Sequence, residues 1–315
     1  MKSIDLLLIG AGKMASNYVD VLRAQSINFE TVCRNKKTAE NFKKSNNINP
    51  FYGGIDFYIK NAKFLPKHAI ICVDEINLHE VTISLIKSGV KNLLVEKPGG
   101  LNNYEINSIY EKANQYSSNV LIAYNRRFYE SVELAKEIIK QDGGLRTSFF
   151  EFTEWTHYLD KIDKKALLEN KILLCNSSHI IDLFLYFCGN PEDFSAFYSG
   201  GIFWNKNASA FSGSGITDKG IVFSYISDWE SAGRWNLELT TNKRRLYFSP
   251  LEKLFCTDRG KLNKYEIEAQ TNLDVKFKPG IYKMVKFFMN NIHKDFCSIN
   301  DQKKNFKILY KIANY

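Results

Sequence analysis

The stretch IDLLLIGAGKMAS, residues 4–16, decides how this chain folds. Residues 4–9 form a short, almost wholly apolar run, as a strand buried on both faces of a parallel sheet requires. It runs into Gly10-Ala11-Gly12-Lys13-Met14-Ala15, and residues 16–24 then carry a helical pattern. Strand, G-x-G-x-x-A and helix, in that order, are the setting of a dinucleotide-binding turn. Gly10 permits the tight turn, Gly12 lets the backbone approach a pyrophosphate, and small Ala15 lets helix and strand pack closely. The free N–H groups of the new helix face the phosphates. Gly10, Gly12, Lys13 and Met14 are therefore expected at a cofactor.

Outward from this turn, residues 29–33 read as a second strand, ending about 20 residues past Gly12. An acidic residue there would hold the adenosine ribose and repel a 2′-phosphate. The chain has Cys33-Arg34-Asn35-Lys36-Lys37 instead. Arg34 offers a planar fork suited to phosphate, so Arg34 and Asn35 point to NADP(H) in preference to NAD(H). Strand and helix then alternate: strand 69–73, a helix over 78–87 with Leu78, Val81 and Leu85 on one face, strand 92–95, helix 105–115 and strand 120–124. Such alternation predicts a doubly wound parallel sheet with ligands beyond the carboxyl ends of its strands. Val73, Asn125 and the pair Glu96-Lys97 stand at such ends. Pro98-Gly99-Gly100 then turns the chain sharply.

Past residue 125 the pattern changes. A helix over 129–140 is stopped by Gly143-Gly144, and strand-like runs follow at 145–155, 194–199, 219–228, 236–241 and 245–248. Strands without intervening helices pair antiparallel. Two amphipathic helices, near 281–292 and 301–312, close the chain. The 315 residues thus divide into an expected dinucleotide-binding domain, 1–125, and an α+β domain, 126–315.

Composition narrows the function. The chain is 44% hydrophobic and 24% charged, as globular proteins are. No apolar run approaches the roughly 20 residues of a membrane span, and no secretory leader is legible, so a cytoplasmic protein with no membrane partner is expected. The net charge is +9, but its cations are spread along the chain and form no basic stripe, which argues against nucleic acid. Six scattered cysteines without C-x-x-C spacing read as reduced thiols, and no metal is expected.

A second constellation is Asn176-Ser177-Ser178-His179-Ile180-Ile181-Asp182. A helix starting here carries His179 and Asp182 on one face, with Asn176, Ser177 or Ser178 as its cap. Upstream, residues 150–155 (FEFTEW) alternate, and His157 and Tyr158 follow Trp155. Aromatic faces suit sugar rings, though an aromatic sheet is more often core or subunit interface.

Gly10-Ala11-Gly12, Glu96-Lys97-Pro98, residues 124–128 (YNRRF) and residues 178–182 (SHIID) together resemble the Gfo/Idh/MocA oxidoreductases, and the resemblance extends through residues 277–282 (FKPGIY). It implies an α/β chain: an amino-terminal Rossmann domain followed by a domain with a large, mostly antiparallel sheet. It also implies oxidation or reduction of sugar-like carbons, and a homo-oligomer, dimer or tetramer, formed through that sheet. Hydride transfer at a carbinol needs a proton to move with it. A partly desolvated lysine beside the positive nicotinamide ring gives up its proton readily, so Lys97 is the expected acid/base or oxygen-polarising group. His179 is expected to share that role, the two converging over one face of the bound ring. Glu96 orients its neighbours, and Arg126, Trp155 and Asn176 are expected at the substrate. The family pattern carries an aspartate three or four positions before the histidine, where this chain has Asn176 and Cys175. An amide binds a hydroxyl but takes no proton, so a non-sugar imine or ketone reductase, or a dinucleotide-binding sensor without turnover, stands as the alternative.

Overall fold

The computed structural model describes residues 4–156 and 170–315. These fall into two compact units. The first runs to Asn125 and includes Val275–Lys304; the second is Arg126–Asp274 with Asn305–Tyr315.

In the first unit, strands β1 (Leu6–Ile9), β2 (Phe29–Cys33), β3 (Phe51–Tyr52), β4 (His68–Ile71), β5 (Asn92–Val95) and β6 (Asn119–Ile122) pair in parallel in the order β6-β5-β4-β1-β2-β3. This is the doubly wound order, with its switch point beside β1. The four residues of β1 are all buried, because helices cover both faces of the sheet. Helices α1 (Lys13–Ala24), α2 (Lys36–Asn46), α3 (Ile55–Asn61), α4 (Leu78–Lys87) and α5 (Asn103–Tyr116) make the crossovers. On α4 the buried stripe is Leu78, Thr82, Leu85 and Ile86, so the expected face is rotated and Val81 is only partly buried. Gly89, at φ +92, ends this helix.

The sequence reading placed all residues after 125 in a second domain. Instead Val275–Lys304 joins the first unit. Its short strand Cys297–Ser298 pairs antiparallel with β6, and helix Ile281–Met289 buries Ile281, Met284, Val285 and Phe288. A two-residue strand carries almost no periodicity, so only its partner reveals it.

The second unit is built on an eight-stranded sheet: β7 (Thr147–Glu151), β8 (Pro191–Ser199), β9 (Ala210–Thr217), β10 (Val222–Asp228), β11 (Asn236–Thr240), β12 (Arg244–Phe248), β13 (Leu254–Asp258) and β14 (Tyr265–Ile267). The order is β14-β13-β12-β11-β7-β10-β9-β8, antiparallel throughout except where β7 meets β10. Helices α6 (Glu130–Gln141) and α7 (Ser178–Cys188) belong to this unit. Phe150 of β7 stacks on Phe184 of α7 at 4.7 Å and on Tyr225 at 5.2 Å, so the aromatic residues of the 150–155 run split between core and surface. Phe150 and Phe152 are fully buried, whereas Trp155 is 45% exposed. Strands β9, β13 and β14 escaped the sequence reading; β9 alternates serine and glycine, which give no hydrophobic period.

All six cysteines are buried, and none is in a disulfide. Among the described residues no helix is long and apolar enough to cross a membrane, and no cluster of three or more His, Cys, Asp or Glu is placed to hold a metal. His157 and Tyr158 lie outside the described residues.

Candidate active site

The β1–α1 turn forms a cradle. Gly10 sits at φ +122, and a methyl group on it would run into the Cys72 carbonyl. Gly12 has nothing within 4 Å of where a Cβ would stand. Helix α1 starts at Lys13 with no side chain capping its first N–H groups and no acidic residue in its first turn. Those donors are left for an anion. A cavity of about 460 Å³ opens beside them, lined by Gly10, Gly12, Arg34, Asn35, Thr38, Val73, Asp56 and Asp74 among others. An open backbone approach, uncapped helix donors and a cavity of this size fit a dinucleotide. Arg34 is exposed at the end of β2, while the Asn35 side chain accepts from the Thr38 N–H and caps α2. Lys13 and Met14 lie in the first turn of α1, outside the cavity lining.

Lys97 stands just past β5 in a turn that is held from several sides. The Glu96 N–H donates to the Ile71 carbonyl, extending the pairing of β5 with β4, and the Gly99 N–H donates back to the Glu96 carbonyl. The Lys97–Pro98 peptide is cis, and the fully buried Gln302 amide donates to the Pro98 carbonyl at 2.9 Å. Beyond the turn, Asn102 caps α5 by accepting from the Glu105 N–H, and the Glu105 carboxylate accepts from the Leu101 N–H at 2.7 Å. Glu96 itself accepts from the Tyr18 hydroxyl of α1 at 2.7 Å. Burial pushes its carboxyl upward, against the pull of Lys97, the Tyr18 bond and Lys278. The same burial, with Glu96 adjacent, raises Tyr18 well above the usual phenol range. Glu96 thus ties the helix of the phosphate cradle to the strand that carries Lys97. Asn125, at the end of this unit, donates to the Pro279 carbonyl at 2.9 Å.

In the second unit the polar centre is Glu154, a residue the sequence reading did not single out. It is 1% exposed and accepts four hydrogen bonds. Its Oε1 receives the Ser177 hydroxyl at 2.6 Å and the Trp235 indole N–H at 3.3 Å; its Oε2 receives the Asn176 amide at 2.8 Å and Arg234 at 3.3 Å. Burial raises its carboxyl above the ordinary value, and these donors pull it back. A signal for it existed: Glu154 shares strand parity with core residues Phe150 and Phe152, and a carboxylate on a core-facing parity is rarely idle.

Around this centre are His179, Arg126 and Trp155. The His179 ring, 6% exposed, lies 6.1 Å from Trp235. The Arg126 guanidinium lies 4.6 Å from the Trp235 ring, and Arg234 lies 4.7 Å from both Trp155 and Trp235. Burial lowers the Arg126 group from its ordinary value, with Arg234 adding to the effect. So His179, Asn176, Arg126 and Trp155 share one neighbourhood, with Glu154 and Trp235 between them. Lys97, Gly10, Gly12, Arg34, Val73 and Glu96 belong to the other unit.

One expectation for this helix is corrected. None of Asn176, Ser177 and Ser178 caps α7: the chain enters it through a π-helical turn, Leu173–Ser177, which satisfies the backbone. Asn176 and Ser177 turn to Glu154, and the Ser178 hydroxyl bonds the Leu174 carbonyl. Asp182 is held by Arg127 in a buried two-bond pair at 2.6 and 2.8 Å.

The glycine turn, the uncapped start of α1 and the cavity beside them have the form of a dinucleotide-binding domain. Residues 4–124 match the family model GFO_IDH_MocA, "Oxidoreductase family, NAD-binding Rossmann fold". That match covers the amino-terminal domain of the chain. No curated protein matches it by sequence. Among solved structures it is similar to an NAD-binding oxidoreductase from Klebsiella pneumoniae, at 14% identity and TM-score 0.80 over 98% of this chain and 95% of that one. It is also similar to UDP-N-acetylglucosamine 3-dehydrogenase GnnA from Acidithiobacillus ferrooxidans, at 15% identity and TM-score 0.77 over 98% and 96%. Levoglucosan dehydrogenase, in complex with NADH and L-sorbose, gives 15% identity and TM-score 0.79 over 100% and 96%. At such identities the likeness is one of fold.

Proposed function

We propose that this protein moves a hydride between a nicotinamide cofactor, NADP(H) in preference to NAD(H), and a carbinol or ketone carbon of a sugar or nucleotide-activated sugar. The observation that carries this is Lys97, clamped at the carboxyl end of a strand in the sheet whose first turn is the phosphate cradle. When bound, the nicotinamide supplies the hydride chemistry. Lys97 Nζ then holds the proton that leaves or joins the substrate oxygen, and His179 shares that duty through its ring. Arg126, Trp155 and Asn176 orient the substrate; the neighbours that act on UDP-N-acetylglucosamine and levoglucosan make a sugar the leading class. Arg34 at the end of β2, with no carboxylate beside it in sequence, favours a 2′-phosphate. A second copy of the chain is the natural cover for the outer face of the eight-stranded sheet, where Phe197, Ile216, Val222 and Ile226 are exposed.

The test is a screen of sugars, UDP-N-acetylglucosamine and levoglucosan among them, with NAD⁺ and NADP⁺ separately, following the absorbance of the reduced nicotinamide. Turnover with a sugar, faster with NADP⁺, is expected, and Arg34→Ala should abolish the cofactor preference. Tight cofactor binding without turnover on any substrate would instead favour the sensor reading that Asn176, in place of a carboxylate, raises. A preference for NAD⁺ would remove the role given to Arg34.

A further inference from the structure

We propose that Glu154 is a positioning residue that sets the polarity of Asn176, turning its amide so that the carbonyl oxygen is the group offered to substrate. The site would then select a hydrogen-bond donor, such as a sugar hydroxyl, at that position. This rests on the sugar oxidoreductase reading above for what Asn176 meets, but the polarity itself rests on Glu154 alone.

An ionised carboxylate accepts and cannot donate, and it has about four lone-pair sites. Arg234 and the Trp235 indole are donors only, so neither can face a protonated oxygen's hydrogen. With Ser177 on the same oxygen as Trp235, and Asn176 on the same oxygen as Arg234, all four acceptor positions of Glu154 are taken. The Asn176 NH₂ therefore points at the carboxylate, and Oδ1 points away from it. Asn176 is only partly buried, unlike Glu154. An amide carbonyl accepts a hydroxyl hydrogen as a carboxylate does, but it takes no proton. Recognition of the hydroxyl is retained at position 176 and the proton is left to other groups. The carboxylate is displaced one layer back, where it also pins Ser177, at the end of the turn leading into α7, and the Arg234-Trp235 pair.

The test is a charge-swap cycle read by thermal unfolding at pH 8 and pH 5.5, which needs no substrate. Asn176→Asp sets two carboxylates against each other. They hold one proton between them, so their shared titration is raised and the variant's stability falls as pH rises through it. Asn176→Asp should unfold several degrees below wild type at pH 8 and recover at pH 5.5. Glu154→Gln/Asn176→Asp restores a donor facing an acceptor, and should regain most of the loss at pH 8. Arg126 and Arg234 also face this centre. His179 is an ionisable neighbour beside Trp235, so the cycle is repeated with His179→Asn to remove it. Should Asn176→Asp alone not fold, the double variant is compared with Glu154→Gln at pH 8, and must be the more stable. Equal stability of Asn176→Asp at both pH values, or a double variant no better than the single ones, overturns the assignment. Rescue without any sugar turnover in wild type leaves the polarity standing and removes the sugar reading; turnover without rescue does the reverse.

Discussion

His179 and Asp182 sit three positions apart on α7 and have different surroundings. Asp182 is spent on Arg127: both side chains are buried and joined by two short hydrogen bonds. Removing one partner strands a buried charge, so Asp182→Ala should cost about 3–5 kcal/mol in denaturant unfolding. His179→Asn should leave stability nearly intact and lower kcat about 10²–10⁴-fold, the usual share of a general acid or base. Lys97→Ala should likewise keep cofactor affinity and lose turnover; full turnover would take Lys97 out of the mechanism. The sequence showed the spacing of this histidine and aspartate but not their partners, because Arg127 is 55 positions away.

The β1–α1 turn separates two glycines that look alike in sequence. Gly10 is needed by the fold: its φ of +122 and the Cys72 carbonyl behind it leave no room for a side chain. Gly12 has ordinary extended backbone and open space around it. Gly10→Ala should therefore destabilise the protein by more than about 2 kcal/mol. Gly12→Ala should fold normally, gaining slightly from a less flexible unfolded chain, yet lose dinucleotide affinity because its methyl group fills the pyrophosphate's approach. Calorimetry and cofactor titration on the two variants separate these effects. The turn at 97–100 shows the same economy. Pro98 and the glycines predicted a sharp bend; the contacts that lock it come from Gln302, 204 positions on.

The amino-terminal unit carries an acid sensitivity that follows from two histidines. Burial lowers both His68 and His293 from their ordinary value near 6.5, and His68 further lowers His293. The Asn92 amide faces a ring nitrogen of His68 at 3.3 Å, and the Asn119 amide one of His293 at 3.2 Å. Each amide NH₂ wants an unprotonated ring nitrogen. The unfolded chain protonates these rings near pH 6.5 and the folded one only below it. Stability is thus full above that value and falls as pH drops through the window between the unfolded and the depressed folded values. Urea unfolding from about pH 7 to about pH 5 should show this loss, and His68→Gln should flatten it. An unchanged slope in that variant would place the sensitivity elsewhere.

By itself the sequence determined the doubly wound sheet, its glycine turn and the strand end that carries Lys97, because neighbouring residues and hydrophobic period settle those features locally. It also singled out Arg34, Asn176 and His179 as candidate site residues. Only the tertiary structure decided that Val275–Lys304 returns to the first sheet, that Asp182 is an ion-pair partner, and that Glu154 gathers Asn176, Ser177, Arg234 and Trp235. The reason is common to all three. A strand two residues long and a charge buried among polar groups are stable only through partners far along the chain, and no local pattern records who those partners are.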